Sequence, residues 1–121
     1  MKTIVTLALA AAFSAAPLYA ACTYPKAPQS IPDGSTASLE EMLAGQRAVK
    51  AFDAEITAYQ SCLETEHNEA LAANPGLTTD QKNERAKILA QKQNAAVDEA
   101  QGVADRFNAQ IRVYREKTAK K

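Results

Sequence analysis

The sequence predicts an all-α protein: an antiparallel, coiled-coil-like two-helix hairpin carrying an extended, Pro-rich N-terminal arm stapled by a disulfide. Three observations predict it. Two long stretches, 38–73 and 78–118, repeat apolar residues at alternating steps of three and four, the signature of a helix with one buried seam. Each stretch opens on a capping box, and only residues 74–77, with Asn74-Pro75-Gly76, separate them. The chain has two cysteines, Cys22 and Cys62, placed so that a bridge between them would pin the arm along the first helix.

The chain begins with the pattern of a secretory signal peptide over residues 1–20, or 1–21 if cleavage falls one residue later. Lys2 supplies the positive start, an apolar run follows from Ile4 to Pro17, and Leu18-Tyr19-Ala20 leads to the cleavage point. The run is shorter than the ~20 apolar residues that a transmembrane helix needs, so no integral span is expected. Removing it leaves about one hundred residues, one small domain. The whole chain has 14 basic and 14 acidic residues, and losing Lys2 shifts the balance only to one net negative charge. Such a balance gives no general attraction to polyanions.

An oxidising compartment favours a disulfide between Cys22 and Cys62. The other reading is a lipid anchor, because Tyr19-Ala20-Ala21-Cys22 has the form of a lipobox with small residues before a Cys at the mature N-terminus. That alternative would leave Cys62 a lone thiol. An intermolecular bridge, or free thiols, is a third reading. The disulfide leads to a periplasmic or secreted protein, and the anchor to a tethered lipoprotein.

Residues 21–37 form the arm. Pro25, Pro28 and Pro32 fix φ and remove donors, and Asp33-Gly34-Ser35 reads as a turn. Ser38 with Glu41 then starts the first helix. Its seam runs Met42, Gly45, Val49, Phe52, Ile56, Tyr59 and Leu63. Thr78 with Gln81 starts the second, whose seam runs Leu89, Gln93, Ala96, Ala100, Val103, Phe107 and Gln110. Antiparallel neighbours have residue numbers of nearly constant sum, and a sum of 152 aligns large against small: Leu63 with Leu89, Ile56 with Ala96, Phe52 with Ala100, Val49 with Val103, Gly45 with Phe107. Tyr59 falls opposite Gln93, within reach of a hydrogen bond. The hairpin core is therefore expected in Val49, Phe52, Ile56, Tyr59, Leu63, Leu89, Val103 and Phe107.

Charge agrees with this pairing. Residues 39–71 carry seven acidic groups against Arg47 and Lys50, whereas 79–121 carry ten basic against six acidic. Glu64, Glu66 and Glu69 should lie near Lys82, Arg85 and Lys87 across the turn. A stripe of small residues beside the seam, Ala44, Ala48, Ala51, Ala58 and Cys62, offers the arm a track, with Tyr24 and Ile31 as its anchors. A second stripe, Ala90, Val97, Ala104 and Ile111, offers a route to a homodimeric four-helix bundle.

Residues that could carry chemistry are few. His67 is the only histidine, and Glu64-Thr65-Glu66-His67 has the Glu-x-x-His spacing of di-iron bundles, but it occurs once and Glu64 points away from the seam. No metal, other cofactor or catalytic group is expected. The basic end, Arg112, Arg115, Lys117, Lys120 and Lys121, suits a helix C-terminus and is a candidate interaction patch. No aromatic residue follows Tyr114 to stack on bases, so nucleic acid is not the expected partner.

Two resemblances bear on function. Pro32-Asp33-Gly34, Ala37-Ser38, Glu41-Met42-Leu43, Gln46, Val49-Lys50, Tyr59, Cys62-Leu63 and Glu66 together resemble a group of small uncharacterised secreted helical proteins of Gram-negative bacteria. That resemblance implies a recurring exported unit and no activity. Leu77-Thr78-Thr79-Asp80-Gln81 is similar to the LTxxQ motif of the Spy/CpxP-type periplasmic chaperones, which implies shielding of unfolded clients. The residues favour a non-enzymatic envelope protein whose helix faces bind a protein partner. The chaperone is the alternative, and a metal-binding or enzymatic role a distant third.

Overall fold

The computed structural model describes residues 21–121, so the expected signal peptide lies outside the described residues. Two helices follow the arm: α1, Leu39–Ala73, and α2, Thr79–Ala119. They pack against each other as an antiparallel hairpin, and the described residues contain no strand.

Both helix starts are built as the sequence predicts. The Ser38 hydroxyl accepts from the Glu41 amide at 3.2 Å, and the Ser38 amide donates to Glu41 Oε2 at 2.7 Å. Thr78 and Gln81 repeat the exchange at 3.2 and 2.9 Å. Each box satisfies a first-turn donor of the helix and the cap's own amide, so the helix has a defined first residue. α1 stops at Asn74, whose side-chain amide donates to the Ala70 carbonyl at 2.7 Å, before Pro75 removes the next donor.

The seam has the predicted register. Phe52, Ile56, Ala96 and Val103 form one buried cluster, with Val49, Tyr59 and Ala100 packed around it. Met42, Phe107 and Ala37 form a second towards the open end of the hairpin. A Cβ added to Gly45 would lie 3.0 Å from Phe107 Cε2, so Gly45 lies against that ring, as the pairing sum requires. Ala96 and Val103 are wholly buried and Phe52 and Ile56 retain 3 % exposure, so each large side chain contributes about 1.5–3 kcal/mol through burial.

The arm takes a different path from the one expected. Cys22 bonds Cys62 with their Cα atoms 5.8 Å apart, so the staple is formed, and the arm runs antiparallel to α1 from there. It does not settle on the alanine stripe: Ala44, Ala48, Ala51 and Ala58 are all exposed. The arm lies over the groove between the two helices. Ala27 and Ile31 pack on the Phe52–Val103 cluster, and Ile31 also reaches the Phe107 cluster. An alanine stripe offers little area, whereas the groove gives Ile31 contacts on both helices at once.

Candidate interaction surfaces

Three contacts clamp the arm in its groove. At its far end stands the disulfide. Two residues along, Tyr24 sets its ring edge-on to Tyr59, with centroids 5.1 Å apart, and donates its hydroxyl to Glu99 on α2. That bond to a carboxylate, with some desolvation, pushes the Tyr24 pKa up to about 12, because a phenolate there would repel Glu99. Tyr59 is thus occupied by Tyr24, and the Gln93 amide donates instead to Glu64 Oε1 at 3.1 Å. Glu64 directly follows the seam residue Leu63 on α1, and the glutamine of α2 reaches it across the edge of the hairpin.

The near end of the arm is the tightest. Asp33 organises the turn by accepting from the Ser35 amide at 2.8 Å and the Ser35 hydroxyl at 2.6 Å, which holds its carboxyl below the usual range. Gly34 then lies directly on α2, and its amide donates to Gln110 Oε1 at 2.9 Å. A Cβ built there would stand 2.1 Å from the Gln110 carbonyl oxygen and 2.8 Å from the Tyr114 nitrogen. Only glycine lets the turn approach a helix backbone so closely. Two residues earlier, Pro32 fills the space above Gly45, where an added Cβ would lie 2.5 Å from Pro32 Cγ. Pro-Asp-Gly therefore does more than turn the chain: its proline and glycine interlock with one helix each. The sequence marks the turn, but nothing in it names Gln110 as the seat.

The basic end divides into one structural cation and four exposed ones. Lys117 donates to the Ala37 carbonyl at 2.7 Å and lies 4.8 Å over the Tyr114 ring. It closes the last turn of the arm onto α2 and is half-buried, so it leaves the expected interaction patch. Arg112, Arg115, Lys120 and Lys121 remain exposed. Arg115 also borders a shallow apolar concavity formed by Leu39, Met42, Leu43, Phe107 and Ile111.

That concavity lies on the flank of the seam opposite the arm. Helix geometry puts Leu39, Gln46, Asp53 and Thr57 on one side of α1 and Ala44, Ala48 and Cys62 on the other. The arm runs in the inter-helix groove beside the second side and leaves Ala44 and Ala48 themselves exposed. On the first, Leu39 is 59 % exposed, Leu43 44 % and Val97 of α2 47 %. A further shallow depression beside Val97 is lined by Thr57, Gln60, Ala100 and Ala104. The molecule thus has one face closed by its own arm and one open apolar face.

His67 is half-buried in a groove with Leu63, Ala70, Arg85, Leu89 and Lys92. The described residues contain no group of three or more His, Cys, Asp or Glu side chains placed to hold a metal ion. No described helix is long and apolar enough to cross a membrane. No protein-family model, curated protein or solved structure matches the chain.

Proposed function

We propose that the protein is exported and serves the cell envelope as a helical interaction module that binds a protein partner through its open face. The exposure of Leu39, Leu43 and Val97 on one flank, while the arm seals the other, carries this reading. A small domain that merely minimised exposed apolar area would have used its arm to cover these side chains. The disulfide supports export, since such bridges persist where the surroundings oxidise thiols. Its use of the Cys22 sulfur also removes the atom that a lipoprotein would acylate, which favours a periplasmic or secreted form.

The chaperone reading draws on the same apolar face. It gains little from the LTxxQ resemblance, because Thr78 and Gln81 are both engaged in capping α2. A photo-crosslinking residue at Leu43, with Ala48 on the arm side as control, separates the two readings in whole cells. A discrete adduct at Leu43 alone supports the module. A smear of many adducts, together with substoichiometric suppression of aggregation of a reduced substrate, supports the chaperone. Equal labelling at both positions removes the open face from either role. Mass measurement of the purified mature chain tests export directly: cleavage after residue 20 or 21 and the loss of two thiol protons are expected.

A further inference from the structure

We propose that the open face pairs with a second copy of the chain, in an antiparallel, two-fold arrangement centred on Val97; this deepens the reading of that face as an interaction surface. An isologous contact needs a patch that complements itself under a two-fold axis. With the axis across the helices at Val97, α2 residues pair when their numbers sum to 194, and α1 residues when theirs sum to 110.

The face meets that condition along both helices. On α2, Val97 meets its own copy, Gln93 meets Gln101, and Ala90 meets Ala104. Asn83 and Ile111 close the series at the two ends. Every position of the stripe between them is uncharged, over roughly 42 Å at ~1.5 Å per residue, although α2 carries charged residues along its length outside this stripe and the seam. Ile111 also packs on the Phe107 cluster and Gln93 reaches Glu64 of its own chain, but Ala90, Val97 and Ala104 lie to one side of Phe107 and Val103. On α1, the same axis sets Leu39, the most exposed large apolar side chain of the fold, against Leu71 of the other copy. It also brings Lys50 of each copy within one helical turn of Glu64 of the other, so the only lysine on that flank of α1 meets an acidic group twice. The depression beside Val97 has Ile56, Ala100 and Ala104 along its apolar side and Asp53, Gln60 and Gln101 along its polar side, and the opposing valine would enter against the alanines. The contact joins two hairpins into a four-helix assembly with both arms on its outside.

The test uses the mature, disulfide-bonded protein. Sedimentation equilibrium over micromolar to millimolar concentration should give the dimer mass, and Val97→Asp should halve it while the far-ultraviolet spectrum stays helical, because Val97 is 47 % exposed and outside the core. Under mild oxidation Val97→Cys should give a covalent dimer. Val113→Cys, 37 % exposed on another side of α2, should not. A monomer at every concentration overturns the proposal, as does equal crosslinking at positions 97 and 113. A monomer whose Leu43 still labels a different envelope protein overturns the second copy as occupant and leaves the interaction module standing.

Discussion

Replacing Gly34 by alanine reverses a familiar sign. None of the described glycines has a positive φ, so the backbone at Gly34 is open to alanine. On chain entropy alone Gly34→Ala should then stabilise by about 0.4–1 kcal/mol. The packing predicts the opposite. The new Cβ would sit 2.1 Å from the Gln110 carbonyl oxygen, and ordinary contact starts near 3.4 Å, so the turn must lift by 1.3 Å from a helix backbone that cannot yield. Overpacking of this kind costs about 1–3 kcal/mol. Lifting also stretches the Gly34 to Gln110 bond of 2.9 Å, worth about 1 kcal/mol, and loosens the Lys117 hold on Ala37. The expected loss is therefore about 3 kcal/mol, or roughly 15 °C in melting temperature for a domain of this size.

Urea unfolding of the oxidised protein, followed by far-ultraviolet dichroism, measures it. Gly76→Ala is the internal control, because a Cβ at Gly76 meets nothing within 4 Å. If Gly34→Ala proves as stable as the parent, or more so, the arm does not sit on α2 as described and the reasoning fails.

Three further outcomes follow from the same contacts. Phe107→Ala should cost about 3–5 kcal/mol, since the ring is buried against Gly45 and Met42; an urea midpoint near the parent's would refute the hairpin register. Replacing both Cys22 and Cys62 by serine should lose about 4 kcal/mol in the chain-entropy account, because the bridge spans 40 residues, and an unchanged midpoint would show that the arm holds without it. Tyr24 should ionise near pH 12 against an ordinary value of 10.0, visible as one late step in phenolate absorbance that Glu99→Gln brings down. Its folded pKa is the higher one, so the stability from its bond to Glu99 is whole below pH 10 and is lost as the pH rises towards 12.

The hairpin was legible in the sequence because its determinants are local or periodic. Ser38 with Glu41 and Thr78 with Gln81 fix where the helices begin, and the spacing of Phe52, Ile56, Val103 and Phe107 fixes which sides face. Gly45 gave the register away, since a residue with no side chain inside a seam needs a large neighbour. The arm was legible only in part. Its disulfide partner and its anchors Tyr24 and Ile31 could be named, but its track was misplaced onto the alanine stripe. Whether an extended segment prefers a helix flank or the groove between helices depends on shapes formed by both, and no period in the arm records that. The seats of Gly34 on Gln110 and of Lys117 on Ala37 are long-range pairings between single residues, which composition and spacing do not encode.

The arm's two fixed ends do different work. Ile31, Pro32 and Gly34 tie its C-terminal half to both helices by packing, and these contacts survive reduction. The N-terminal half, residues 22–30, rests on the disulfide, the Tyr24 contacts and Ala27. In a reducing compartment that half would be held by little more than one aromatic pair and one exposed hydrogen bond, each worth about 1 kcal/mol, against a backbone entropy of about 1–2 kcal/mol per ordered residue. On these magnitudes, reduction should free residues 22–30 from the groove beside Tyr59. The bridged arm covers the groove on one side of the seam and leaves Leu39, Leu43 and Val97 exposed on the other. On the proposal that the open face is the binding surface, the disulfide would also set which side of the hairpin is available, beyond its contribution to stability.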